Sequence, residues 1–208
     1  MLSARKILMV GASVFAFGIG TAMAANTSIV NQPAANDSAT VDQDAGNNYS
    51  NIQQTATNSS ANVKQDGGTN SSIINQIASG TGFKATVNQS GAGTSSAKIT
   101  QTDHSNKTAS ITQDSVAGPA NNATIDQRQG TNAYQKAKIV QEGWGNTATE
   151  TQRGSYDDAL IKQTTNNNTS TITQTGDNDT ASNYQMAANG SSSTITQSGN
   201  ANTATVNQ

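Results

Sequence analysis

Sixteen glutamines recur along the chain at intervals of eleven to fourteen residues: Gln32, Gln43, Gln54, Gln65, Gln76, Gln89, Gln101, Gln113, Gln127, Gln141, Gln152, Gln163, Gln174, Gln185, Gln197 and Gln208. A primary amide carries two donor hydrogens and an acceptor oxygen, so identical amides stacked above one another can bond in an unbroken row. The chemistry on offer is therefore repeated, self-complementary hydrogen bonding. Groups for other chemistry are sparse. There is no cysteine, and the single histidine, His104, lies between Gln101 and Gln113. Neither a nucleophilic relay nor a zinc centre is built from such a set. The carboxylates are scattered and read as solvated turn or outward charges, and the calcium-binding nonapeptide repeat is missing. No catalytic residue, cofactor or metal is expected.

The residues that must position the glutamines carry a period of their own. Four places before each glutamine stands Ala or Ser in all sixteen cases; two places before stands Val or Ile in fourteen, the exceptions being Glu150 and Asn183. The unit (Ala/Ser)-x-(Ile/Val)-x-Gln is a period-2 pattern, the mark of a strand with one buried face. Its recurrence at a longer fixed spacing marks stacked supersecondary units. The expected fold is all-β: a β-solenoid of about eight two-strand rungs, strand-turn-strand, built from sixteen half-repeats in residues 25–208.

Composition explains why amides are needed. Apolar residues make up 32% of the chain and charged residues 12%, against roughly 45–50% and 25% in ordinary globular domains. Such a chain buries too little apolar surface to order itself by a bulky core. Backbone ladders, thin columns of Ile74, Ile172, Ile195 and Val206, and glutamine ladders would supply the difference. Small Ala and Ser let the two sheets approach closely.

Residues 1–24 form a separate segment. Arg5 and Lys6 precede an apolar run from Ile7 to Ile19, and Ala22-Met23-Ala24 reads as a cleavage signal, so a secretory signal peptide is expected. The run is too short to span a bilayer, which leaves no transmembrane segment in the mature chain. Removal leaves nine Lys and Arg against thirteen Asp and Glu, a net charge of −4. With neither sign clustered, nucleic acid is not an implied partner.

Turn chemistry keeps the same phase. Six places before the glutamine stands Asn or Asp in ten cases, including Asn70, Asn121, Asn146, Asp157, Asp179 and Asn202; two places after it Gly recurs at Gly67, Gly91, Gly143, Gly154, Gly176 and Gly199. Both residue types suit the sharp corners between strands. Extra residues fall between units, at Ser79–Gly82 and Ser115–Asn121, where loops absorb them. The first unit starts at Thr27 and the last closes on Gln208, so both end rungs are expected to be open strand edges. Head-to-tail contact between such edges does not close and yields a filament.

The spacing Gln-x-Gly-x-x-Asn-x-Ala-x-x-x-Gln in QEGWGNTATETQ and QSGNANTATVNQ resembles the curlin repeat of bacterial curli subunits, over about 180 residues. The resemblance implies a secreted subunit, major or nucleating, that polymerises into amyloid fibres outside the cell. Such fibres serve biofilm matrix, surface adhesion and cell aggregation. It also implies partners: further copies of itself, a companion curli-type subunit, an outer-membrane export channel and periplasmic helpers. By position, Gln65, Asn70, Ser72, Gln76, Gln141, Asn146, Ala148, Gln152, Gln197, Asn202, Ala204 and Gln208 match the family's ladder residues. The chain departs from the family in having more rungs and little room for a targeting segment ahead of them. Either Ala25–Asp37 serves as that segment or export is recognised differently.

Glu150 and Asn183, at inward positions, and the pair Asp157-Asp158 are candidate gatekeepers that slow assembly; the other reading is drift at tolerant positions for the first two and solvated charges for the aspartates. Trp144, Tyr134, Tyr156 and Tyr184 could add adhesive contacts. A monomeric secreted β-solenoid, acting as an adhesin or an ice-binding module, is the alternative function. Outward pairs Thr171/Thr173 and Thr194/Thr196 favour it. Asn62/Lys64, Lys138/Val140 and Leu160/Lys162 are expected to interrupt them, leaving no continuous threonine lattice.

Overall fold

The structure, a computed structural model, describes residues 7–10, 14–15, 25–77, 80–103, 106–128 and 134–208. Every element among them is a β-strand. Two short strands come first, β1 (Ile7–Val10) and β2 (Val14–Phe15). Each glutamine unit then contributes one strand, and successive strands alternate between two sheets. One sheet holds β3 (Thr27–Asn31), β5 (Tyr49–Gln54), β7 (Thr69–Ile77), β9 (Thr94–Thr102), β11 (Asn121–Gln127), β13 (Thr147–Gln152), β15 (Thr169–Gln174) and β17 (Ser192–Gln197). The facing sheet holds β4 (Ser38–Gln43), β6 (Ser60–Gln65), β8 (Lys84–Ser90), β10 (Lys107–Ser115), β12 (Gln135–Gly143), β14 (Asp158–Gln163), β16 (Thr180–Gln185) and β18 (Thr203–Asn207). The chain is a β-solenoid of eight two-strand layers, as the periodicity requires.

Parallel neighbours need a crossover, and here the strand of the opposite sheet is that crossover. Registers run unshifted: Ala61 pairs with Ala85, Val63 with Val87 and Gln65 with Gln89, and the same three positions pair again from β8 to β10. A slip of one residue would turn the inward set to solvent, so burial of one face holds the register. Ile52, Ile74, Ile99, Ile111, Ile125, Ile139, Ile161 and Ile172 are fully buried, flanked by columns of buried Ala and Ser. At about 4.8 Å per layer the stack is roughly 38 Å tall.

The extra residues lie between strands at 116–120 and in the segments 78–83 and 128–134, parts of which, like His104, lie outside the described residues. Ser115 and Asn121, expected in the loop, are buried strand residues. The strands there run one or three residues longer than the six-residue strands that follow, because their neighbours in the sheet continue the ladder.

Two expectations need restating. The open N-terminal edge is expected of the chain without residues 1–24; with them present, β1 pairs antiparallel with β4, and β2 with β3. Exposed edge N–H and C=O groups accept any extended segment within reach, and the chain's own start supplies one. Most of the proposed leader lies outside the described residues. The second is a correction and concerns the threonines. Asn62/Lys64, Lys138/Val140 and Leu160/Lys162 sit on β6, β12 and β14, in the sheet opposite to Thr171/Thr173 and Thr194/Thr196. They do not interrupt the threonine array, because strands next to each other in sequence lie on different sheets.

Candidate functional site

The structure brings the glutamines into two continuous columns. Through β3 to β17, Gln32, Gln54, Gln76, Gln101, Gln127, Gln152, Gln174 and Gln197 are joined in order, each Nε2 donating to the Oε1 of the next at 2.6–3.0 Å. Through β4 to β18, Gln43, Gln65, Gln89, Gln113, Gln141, Gln163, Gln185 and Gln208 are joined at 2.8–3.1 Å. The second amide hydrogen crosses to the other sheet: Gln65 Nε2 donates to the Tyr49 carbonyl at 3.0 Å and Gln163 Nε2 to Thr147 at 3.1 Å. Each internal amide thus spends both hydrogens and its oxygen on the protein. That satisfies a buried polar side chain whose unpaired atoms would each cost about 1–3 kcal/mol.

The columns have direction, since one hydrogen of each internal amide points to the following layer and its oxygen to the preceding one. Gln32 Oε1 is accordingly buried without a partner. A layer placed before Gln32 and offering a glutamine amide would complete the row.

The corner asparagines form a further column in the sheet of β3. Asn26 Oδ1 accepts the backbone N–H of Asn48, Asn48 Oδ1 that of Asn70, Asn121 Oδ1 that of Asn146, and Asn146 Oδ1 that of Asn168, at 2.9–3.2 Å. The amide hydrogens of Asn48, Asn70 and Asn146 close the preceding corner, as in the Asn146 Nδ2 bond to Glu142 at 2.9 Å, whereas Asn121 Nδ2 donates forward to Gly143. The column extends to the Ser191 N–H, which donates to Asn168 Oδ1 at 2.9 Å, but it is broken between Asn70 and Ser95, where Asn70 Oδ1 is unpartnered. In the facing sheet aspartates take the position: Asp157 Oδ1 accepts from Asp179 N–H at 3.1 Å, and Asp179 Oδ1 from Asn202 N–H at 2.9 Å.

Some corners demand glycine. A Cβ on Gly154 would land on the carbonyl oxygen of Gly176, and one on Gly176 on that of Gly199.

Glu150 and Asn183 keep their inward positions and are fully buried, and none of their side-chain polar atoms has a hydrogen-bond partner. Glu150 lies between Ile125 and Ile172 in its sheet, Asn183 between Ile161 and Val206. Burial pushes the Glu150 carboxyl well above its ordinary range. The pair Asp157-Asp158 divides. Asp158 is half-exposed and meets Lys136 at 3.2 Å, whereas Asp157, expected as a solvated charge, is buried. The corner position turns its side chain into the stack, and burial raises its pKa to about 6, with the Asp179 and Asp177 charges adding to the rise.

Phe83, Lys107 and Gln135 are buried at the equivalent corner, six places before their glutamines. Sequence reasoning passed over them because they break the Asn/Asp pattern, although the spacing itself marks the position. Of the aromatics, Tyr134 and Tyr156 are exposed and stacked at 5.6 Å, and Trp144 is half-buried beside Gly118. Among the described residues no cluster of His, Cys, Asp or Glu could hold a metal ion, and no helix is long and apolar enough to cross a membrane.

Fold and site together define a parallel, in-register β-solenoid whose layers are joined by amide side-chain ladders. Residues 143–176, which span β13, β14 and β15, match the family model of the curlin associated repeat, so this part of the chain is similar to the repeat of the curlin family. That family consists of structural fibre subunits rather than enzymes. No curated protein and no solved structure matches the chain.

Proposed function

We propose that the processed chain is a secreted subunit that self-assembles head to tail into extracellular, curli-like amyloid fibres, contributing to biofilm matrix, surface adhesion and cell aggregation. The observation that carries this reading is the identity of the bonds between layers. The contact joining Gln141 to Gln163 within one chain is the contact that an incoming layer would make with the last one. Growth by addition of layers needs no surface specialised for it. Loss of the leader would also remove β1 and β2 from the first strands of both sheets. The ladder residues Asn70, Asn146, Asn202, Ile74, Ile172, Ile195 and Val206 would then continue their columns from one molecule into the next.

Export would take the chain through the periplasm, held unfolded by helpers, and out through an outer-membrane channel. A major or nucleating companion subunit would share the fibre. Sedimentation of the purified residues 25–208, followed by fibre diffraction, tests the reading. Assembly with a 4.7–4.8 Å meridional reflection supports it. A folded monomer that stays monomeric under the same conditions removes it.

A further inference from the structure

The two outer faces of the stack differ in a way the repeat does not require. On β13, β15 and β17 the outward positions are Thr147, Thr149 and Thr151; Thr169, Thr171 and Thr173; and Ser192, Thr194 and Thr196. They pair in register from layer to layer, Thr149 with Thr171 and Thr171 with Thr194, Thr151 with Thr173 and Thr173 with Thr196. Thr124 extends the central row on β11, where Asp126, paired with Arg128 at 2.7 Å, ends the uncharged region. On the opposite face, β14 and β16 carry Asp158, Leu160 and Lys162, and Thr180, Ser182 and Tyr184. Nothing in strand pairing explains this contrast, since both faces are equally outward.

We propose that the threonine face of β13, β15 and β17 binds crystalline water, an ice surface. The array is periodic in two directions: neighbouring strands repeat at about 4.8 Å, and every second residue along a strand at roughly 6.6–6.8 Å. These distances lie close to the two repeats of the prism plane of hexagonal ice. Among the described residues, none of the nine hydroxyls has a hydrogen-bond partner within the chain. Each is left to water, and β-branching restricts the side-chain rotamers so that hydroxyl and methyl groups repeat without much loss of freedom on binding. Water held between the rows is ordered by the protein lattice before ice arrives.

Other occupants fit less well. The face has no aromatic ring on which a sugar could stack. It also lacks the Trp, Tyr and Arg anchors that dominate protein interfaces, in which Ser and Thr are under-represented as energetic centres. The proposal does not rest on fibre formation, because one chain carries the whole array.

The test is partition of labelled residues 25–208 into slowly growing ice, as soluble chain and as fibre, against a non-binding protein. Thr171→Tyr places a ring in the centre of the lattice, and Ser182→Tyr places one at the corresponding outward position on the opposite face. Tyrosine suits a strand at both sites, and circular dichroism checks that each variant folds. Uptake of the parent above background, unchanged by Ser182→Tyr and lowered roughly tenfold by Thr171→Tyr, supports ice binding. Parent uptake at background overturns the proposal, as does equal loss in the two folded variants. A Thr171→Tyr variant that folds and changes only the lateral bundling of fibres also overturns it, since the face would then be a protein contact. Should Thr171→Tyr fail to fold, Thr149→Lys with Lys138→Thr as its opposite-face control gives the same reading.

Discussion

Gln113 and Gln141 stand 28 residues apart, yet Nε2 of the first donates to Oε1 of the second at 2.8 Å. The distance equals that between Gln163 and Gln185, separated by 22 residues. Loops take up the difference in chain length, and the ladder is the same on both sides of it. Gln141→Ala would strand the outgoing hydrogen of Gln113 and the oxygen of Gln163. At about 1–3 kcal/mol for each buried unsatisfied group, the loss is roughly 2–6 kcal/mol. The expected result is a lower denaturant midpoint for loss of β-structure. A midpoint equal to that of the parent would show that the amides contribute nothing to cohesion.

Glu150 interrupts a column of isoleucines at full burial, and both carboxylate oxygens lack partners. Glu150→Ile restores the column from Ile125 to Ile172. Replacing a buried ionisable group by a well-packed apolar one is worth up to about 1–4 kcal/mol. The variant should hold its β-structure to higher denaturant and assemble with a shorter lag. If the lag is unchanged, Glu150 is not a gatekeeper. The same comparison for Asn183→Ile tests the other interruption.

Acid should favour the ordered state. Glu150, Asp157 and Asp37 all have carboxyls raised by burial. A carboxyl whose pKa is higher when folded binds its proton more tightly in that state, so stability falls as pH rises between the unfolded and folded values. For Asp157 that window runs from 3.8 to about 6. Ordering followed by circular dichroism should be most favourable below this window and weaken through it. Asp157→Asn keeps an oxygen to accept the Asp179 N–H and should flatten that part of the profile. An Asp157→Asn profile matching the parent's would assign the pH dependence elsewhere.

Glycine positions divide by what lies beside them. A Cβ at Gly176 meets the Gly199 carbonyl of the next layer, whereas one at Gly190 meets nothing nearby. Gly176→Ala must therefore push two layers apart. Gly190→Ala carries only the cost of a positive φ, about 1–2 kcal/mol. Denaturation midpoints should rank parent, Gly190→Ala, then Gly176→Ala. The reverse order for the two variants would mean that the corners do not stack as closely as described.

Much of this architecture was legible in the residues themselves. Period 2 within each unit decided which side chains face inward. The return of Gln at a fixed phase decided that the units stack, because a one-residue slip would bury the wrong set. Corner chemistry was legible in part: Asn and Gly were recognised as turn residues, but the Asn column and the close approach of Gly154, Gly176 and Gly199 require the layers to be in place. Asp157 shows the limit, since its neighbour Asp158 is a half-exposed ion-pair partner and only the corner geometry turns Asp157 inward.

The sequence by itself determined the strands, their buried faces and the self-complementary amides, since these depend on spacing within a unit. The tertiary structure alone decided which units are neighbours. Among β3 to β18, residues adjacent in a sheet lie 22 to 28 positions apart in the chain, while consecutive units face each other across the stack. Surface properties therefore follow from alternate units, and the contrast between the threonine face and the charged face is hidden when the chain is read in order.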